Sequence, residues 1–239
     1  MAMTMDFEIY LAQGSEYGPK ELLALEDEAG IEMAIVMPSP IFRPLNKWVA
    51  EQLKGHPRLI PCCQVNPHFG EEAVKEFETA VKEWGMKGLK LMATLHGYQI
   101  ESPMVYPLME KARELKVPVN IHSGTHGCEP LQIGELAARY PDVPIIMDHM
   151  GYRSYVGQAI AAAKRCENIL LGTTIVSYEP IQVRRAVDEV GADRVVFGSN
   201  APSCFPVYAV QSLKRMKFTS EQEELIFGKN LARLYGIQK

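Results

Sequence analysis

Residues 117–124, VPVNIHSG, form an apolar run that halts at one histidine and then at glycine. The same design returns at 143–151 (VPIIMDHMG) and 194–202 (RVVFGSNAP). Working outward, similar runs lie at 5–11 (MDFEIYL), 31–39 (IEMAIVMPS), 59–67 (LIPCCQVNP), 88–94 (GLKLMAT) and 169–176 (ILLGTTIV). Each is mostly aliphatic or β-branched and is bounded by Gly, Pro, Asn or Ser, as strands are. Their near-continuous hydrophobicity, without alternation, suits parallel strands covered on both faces.

Amphipathic stretches separate the runs. EEAVKEFETAVKEWG (71–85) places Val74, Phe77, Val81 and Trp84 on one helical stripe and ends at Gly85. SPMVYPLMEKARELK (102–116) offers Ser102 as N-cap and Pro103 at the first helical position. Strand–helix units repeat eight times with no linker or shift in composition. This predicts an α/β fold, a single (β/α)₈ TIM barrel over 1–239 closed by C-terminal helices within 206–237. An open doubly wound sheet is the alternative. It expects a glycine-rich phosphate loop after the first strand, and LAQGSEYG (11–18) is a poor one.

The 239 residues are 47% hydrophobic, enough for a large core, and carry a net charge of −4 with no Lys/Arg run. That balance argues against nucleic acid or anionic membranes as partners and leaves a small-molecule substrate. Five irregularly spaced cysteines without a CxxC pair give neither a zinc knuckle nor a secreted disulfide framework. The N-terminal stretch is too short in apolar residues for a signal peptide, and no run has transmembrane length, so a soluble cytoplasmic protein is expected. A homo-oligomer is compatible with a barrel of this kind.

Barrel active sites lie at the C-terminal ends of the strands. That rule selects Glu8 and Tyr10 on strand 1, Lys90 on strand 4 with His96 and Tyr98 beyond it, His122 on strand 5, Asp148 and His149 on strand 6, and Asn200 on strand 8. A lone strand-end histidine is usually structural. His122 and His149 stand at equivalent positions on adjacent strands, which points to a shared site as ligand, acid or base. Lys90 is readable as a Schiff-base nucleophile, an anion anchor, or a partner of Glu8 or Asp148 inside the barrel.

DFEIY at strand 1, GLKL and HGYQ around strand 4, NIHSG at strand 5, MDHMG at strand 6, FGSNAP at strand 8 and the closing GKNLARLYGI together resemble the amidohydrolase-related (amidohydrolase 2) family of TIM-barrel hydrolases and decarboxylases. The resemblance spans essentially the whole chain. It implies a divalent metal, zinc or manganese, held by a strand-1 pair, the strand-5 histidine and a strand-8 aspartate, with the strand-6 histidine catalytic. By position these fall on Glu8 and Tyr10, His122, Asn200 and His149. Glutamate is an acceptable ligand and occurs at this point in some of the family's decarboxylases. Tyr10 must lose a proton to ligate well, and Asn200 is uncharged. The resemblance thus implies a metal site of Glu8, His122 and Asn200 that is weakly held or absent, unless His96, His126 or Cys128 joins it.

The expected function is an amidohydrolase-like hydrolase or a non-oxidative decarboxylase or lyase acting on a small carbonyl or carboxylate compound. Its catalytic residues would be His149, Glu8 and Lys90, and Tyr10, His96, Tyr98 and Asn200 would contact substrate. The alternative is a non-catalytic ligand-binding barrel descended from such an enzyme.

Overall fold

The computed structural model describes residues 3–237, so the outermost two residues at each end of the 1–239 range lie outside it. Eight strands follow one another in parallel: β1 (Met5–Leu11), β2 (Met33–Pro38), β3 (Leu59–Pro61 continued by Cys63–Gln64), β4 (Leu89–Leu91), β5 (Val119–Ile121), β6 (Ile145–Met147), β7 (Ile169–Gly172) and β8 (Val195–Val196). Strand β3 changes partner at Cys62: the Cys62 amide donates to Val36 O of β2 at 2.8 Å and the Cys63 amide to Gly88 O at 2.9 Å. Beyond Val196 the chain continues along β1. Phe7 N donates to Phe197 O (3.0 Å), Asn200 N to Glu8 O (2.9 Å) and Tyr10 N to Ala201 O (2.8 Å), which closes the ring. The protein is a (β/α)₈ barrel. The open-sheet alternative fails because β8 is joined to β1.

Helices α1 (Pro19–Ala29), α2 (Asn46–Gln52), α3 (Glu71–Lys82), a short α4 (Ala93–His96), α5 (Tyr106–Leu115), α6 (Pro130–Arg139), α7 (Val156–Arg165) and α8 (Pro180–Val190) return the chain between strands. Proline opens α1, α6 and α8, where its missing N–H costs nothing. In α3 the buried face is Ala73, Phe77 and Ala80, with Val74, Val81 and Trp84 at its margins. The sequence stripe is therefore rotated: alanines let the helix approach the sheet, and the bulkier residues fill the flanks. Ser102 precedes a 3₁₀ turn (Pro103–Val105), so α5 begins three residues later than its proline suggests. After β8 come α9 (Pro206–Lys214), α10 (Ser220–Glu224) and α11 (Asn230–Tyr235).

Inside the barrel, Met5, Phe7, Ile35, Met37, Cys62, Ile146, Leu170 and Val196 pack together with Leu231 of α11. Phe7 takes the space that Gly172 and Gly198 leave open: a Cβ on either would lie 2.4 or 2.5 Å from its ring. Gly172→Ala is therefore expected to destabilise the protein by about 1–3 kcal/mol through overpacking. Adding Phe7→Leu should recover part of the loss in denaturant midpoint. Equal midpoints for Gly172→Ala and wild type would refute this packing.

Candidate active site

Strand β1 carries a bulge between Asp6 and Ile9. The Asp6 carboxylate holds it by accepting the amides of Glu8 (2.9 Å) and Ser199 (3.1 Å) through Oδ1. The bulge turns Glu8 into the barrel beside Phe7, and Tyr10 above it donates its hydroxyl to Glu8 Oε1 at 2.6 Å. Lys90, pointing inward from β4, donates to the same Oε1 at 2.6 Å and to Asp148 Oδ2 at the end of β6. All three charged side chains are completely buried. Of the readings open to Lys90, the structure shows pairing, and with both carboxylates together.

Burial alone would raise the Glu8 carboxyl. The charges of Lys90 and His149 and the hydrogen bonds from Lys90 and Tyr10 outweigh it and hold the carboxyl down at about 2. The Tyr10 phenol moves the other way, well above its ordinary 10, through burial and the Glu8 charge.

Above this layer the histidines meet. His149 Nε2 lies 3.0 Å from His122 Nδ1, and His149 Nδ1 lies 2.8 Å from Thr174 Oγ1 at the end of the β7 run. Burial first, then the neighbouring Lys90 charge, depresses His149 to about 4. Burial and the adjacent His149 depress His122 to about 3, so both rings are neutral at pH 7. The chain bends sharply here: His149, Met150 and Tyr152 all have positive φ (58°, 48° and 56°). Such backbone costs roughly 1–2 kcal/mol per non-glycine residue and persists where surrounding contacts impose it. Tyr152 covers both imidazoles, at 4.9 Å from His149 and 6.0 Å from His122 between centroids.

A cavity of about 300 Å³ opens above, walled among others by Tyr10, Ser39, Met92, His122, His149, Tyr152, Asn200 and Ser203. The structure thus brings Tyr10, His122, His149 and Asn200 to one cavity, with Glu8, Lys90 and Asp148 sealed beneath it. It does not bring His96 or Tyr98 there. Residues Ala93–His96 coil into α4, which turns His96 away so that its Nε2 meets Ile41 O at 3.0 Å, with Tyr98 stacked on it. His126 is exposed beside Glu129, and Cys128 packs against Thr94 and Thr125, so neither reaches the cavity. Thr174, Tyr152, Asp6 and Ser123 complete the site. Of these, Thr174 and Tyr152 had a usable signal: Thr174 lies two residues beyond inward-facing Gly172, and Tyr152 is an aromatic directly after the strand-6 motif MDHMG.

At the positions where the resemblance places metal ligands, the donors are engaged or neutral. Glu8 Oε1 holds Lys90 and Tyr10, the Tyr10 phenol stays protonated, His122 Nδ1 faces His149, and Asn200 is an amide. A second set exists: ligand atoms of Glu8, Asp148 and His149 lie within 4.8 Å of one another, and Glu8 Oε2 and Asp148 Oδ1 are buried without hydrogen-bond partners. The Lys90 ammonium, bonded to both carboxylates, cancels the attraction of one of them for a cation. What remains amounts to one carboxylate and one imidazole, short of the three or four good ligands of a tight site. These residues do not fit a firmly held divalent ion.

Among solved structures, a TIM-barrel protein from Bordetella bronchiseptica superposes with a TM-score of 0.85 at 18% identity, covering 98% of this chain and 99% of the other. The 5-carboxyvanillate decarboxylase of Sphingomonas paucimobilis gives 0.79 at 14% identity over 100% of both chains. A dihydroxybenzoic acid decarboxylase from Polaromonas, with bound manganese and the inhibitor 2-nitroresorcinol, gives 0.80 at 17% identity over 100% and 98%. These likenesses show a shared fold. No curated protein matches the sequence. No helix among the described residues is long and apolar enough to cross a membrane. The family model for amidohydrolase matches residues 12–237, nearly the whole barrel and the site apart from Asp6, Glu8 and Tyr10 of β1, and the chain belongs to that family.

Proposed function

We propose that this barrel is an enzyme that decarboxylates a small, hydroxylated aromatic or comparably sized carboxylate without a firmly bound metal. The observation that carries the reading is the Lys90 ammonium, bonded to Glu8 and Asp148 beneath Tyr10 and His149, where it occupies the β1 carboxylate that a metal would need. Decarboxylation is favoured over hydrolysis because hydrolysis needs a base for water. Asn200 cannot accept a proton as an aspartate would, and Glu8, the carboxylate on β1, is sealed under Tyr10. Loss of CO₂ requires no activated water. It leaves an electron pair on carbon that takes a proton from the cavity wall, where Tyr10, His122 and Tyr152 carry dissociable hydrogens.

The cavity, at the small end of the range for ligand sites, suits one ring flanked by Tyr10 and Tyr152. Substrates named for the similar structures, 5-carboxyvanillate and 2,6-dihydroxybenzoate, have that character. Five unpaired thiols suit a reducing compartment, and we place the enzyme in the cytoplasm. The test is CO₂ release from a panel of hydroxybenzoates, with lactones and esters as hydrolytic controls, in EDTA and in added Mn²⁺ or Zn²⁺. Turnover that persists in EDTA is expected. Activity seen only with added metal overturns the metal-free reading, and ester or lactone cleavage alone overturns decarboxylation. The second reading, a ligand-binding barrel, draws on Tyr10 and Asn200 at the expected ligand positions. It predicts saturable binding with the ligand recovered unchanged.

A further inference from the structure

The cavity over His122 and His149 has a neighbour. Between the ends of β1 and β2 and the first turn of α2, a second cavity of about 230 Å³ is walled by Leu11, Ile41, Leu45 and Trp48, and it shares Ala12 and Ser39 with the first. The shared wall is thin by construction. Strands β1 and β2 pair to their last residues, Leu11 against Pro38, and Ser39 N donates to Leu11 O at 2.9 Å, so Ala12 and Ser39 leave the sheet side by side. Both side chains are small. No charged side chain lines the second cavity, whereas imidazoles, phenols and an amide wall the first.

The far wall is held in place. Asn46, at the start of α2, donates to Gln64 O at 2.8 Å and accepts the Gln64 amide at 2.8 Å, which pins the helix carrying Trp48 to β3. The loop before it is fixed at Ile41, whose carbonyl meets His96 Nε2 at 3.0 Å, and at Phe42, whose carbonyl accepts from Asn66 Nδ2 at 3.1 Å. Even so, Ile41 and Leu45 remain 42% and 38% exposed. A preformed recess whose apolar side chains stay open to solvent is the usual build of a ligand site.

We infer that this recess is a second compartment of the active site, and that it takes an uncharged apolar arm of the substrate, from a propyl chain to a phenyl ring in size, laid against Trp48 and Leu45. An apolar cavity of about 150 Å³ already accommodates benzene, so the volume suffices. With the carboxylate-bearing ring in the first cavity, the arm reaches the second over Ala12 and Ser39. Each methylene buried there should tighten binding by about fourfold. Assigning the arm to the substrate rests on the function proposed above, whereas the affinity of the recess for an apolar group does not.

Two titrations test it in Trp84→Phe protein, where Trp48 is the one remaining tryptophan. The first uses bromobenzene, which has no carboxylate and whose heavy atom quenches indole emission on contact. Saturable quenching of Trp48 is expected, and its loss in Leu45→Asp. Leu45 stands at the N-cap of α2, where aspartate is favoured, so that variant keeps its fold. Quenching that does not saturate, or that Leu45→Asp leaves unmoved, would overturn the inference. The second titration compares 2-hydroxybenzoate with its 3-, 4- and 5-propyl derivatives by calorimetry. At least one derivative should bind about tenfold or more tightly than 2-hydroxybenzoate, and Leu45→Asp should erase that gain. Where 2-hydroxybenzoate binds and no propyl derivative gains, the inference fails and the proposed function stands. Where bromobenzene binds and no benzoate does, the proposed function fails and the recess stands as an apolar site.

Discussion

Lys90→Met is expected to cost about 3–5 kcal/mol of folding stability, the usual penalty for breaking a buried ion pair by removing one partner. Lys90 is wholly buried between Glu8 and Asp148, whose other oxygens Oε2 and Oδ1 have no hydrogen-bond partner. Removing the ammonium leaves two carboxylates facing each other in the barrel, one of which must take up a proton. Against a total stability of roughly 5–15 kcal/mol for a natural domain, that loss is large. Glu8→Gln in the Lys90→Met background removes one of the stranded charges and should recover a substantial part. Denaturant midpoints of the four proteins in this cycle check the claim. A loss below about 1 kcal/mol for Lys90→Met would mean that the lysine is not the counter-charge of the layer.

Stability should also depend on pH in two opposed ways. His122 and His149 titrate near 3 and 4 in the fold but near 6.5 when unfolded. Between those values the unfolded chain binds more protons, so stability is lost as pH falls below 6.5, by about 1.4 kcal/mol per pH unit for each ring. Behind β1 the sign reverses. Burial raises Asp6 from 3.8 to about 7, and burial together with the Asp6 charge raises Glu26 of α1. There the folded state holds the extra proton, so stability is lost as pH rises above the unfolded values. The result is a stability dome narrower than either effect alone produces. Glu26→Leu, which removes two buried oxygens without partners, should lift the alkaline side and leave the acid side unchanged. His149→Gln should flatten the acid limb. Chemical denaturation at pH 5, 6.5 and 8 separates the two, and parallel profiles for wild type and Glu26→Leu would contradict the assignment.

Strand existence was legible because runs such as 119–121 and 145–147 are apolar on both faces, and only a covered parallel sheet consumes them. Strand length was not. The 194–202 run keeps ladder geometry only at Val195–Val196, because Gly198 yields to the Phe7 ring and Asn200 turns left-handed at φ 69°. Meeting of the two histidines followed from their equivalent positions on neighbouring strands. Their contact with Thr174, a residue from a third strand, did not. His96 and Tyr98 show the limit of counting from a strand end, because a four-residue helix turned that loop away from the mouth. The β1 bulge and the Asp6 clamp that orients Glu8 have no period to betray them.

The central claim is that a protein cation, Lys90, engages Glu8, one of the residues where the resemblance expects a metal ligand. The most direct measurement is the metal content of protein purified without chelator, then dialysed against Mn²⁺ or Zn²⁺ and passed through gel filtration. Less than about a tenth of an equivalent is expected, with no change in Glu8→Gln, because the layer offers too few uncompensated ligands. Close to one equivalent, lost in Glu8→Gln or His122→Ala, would contradict it.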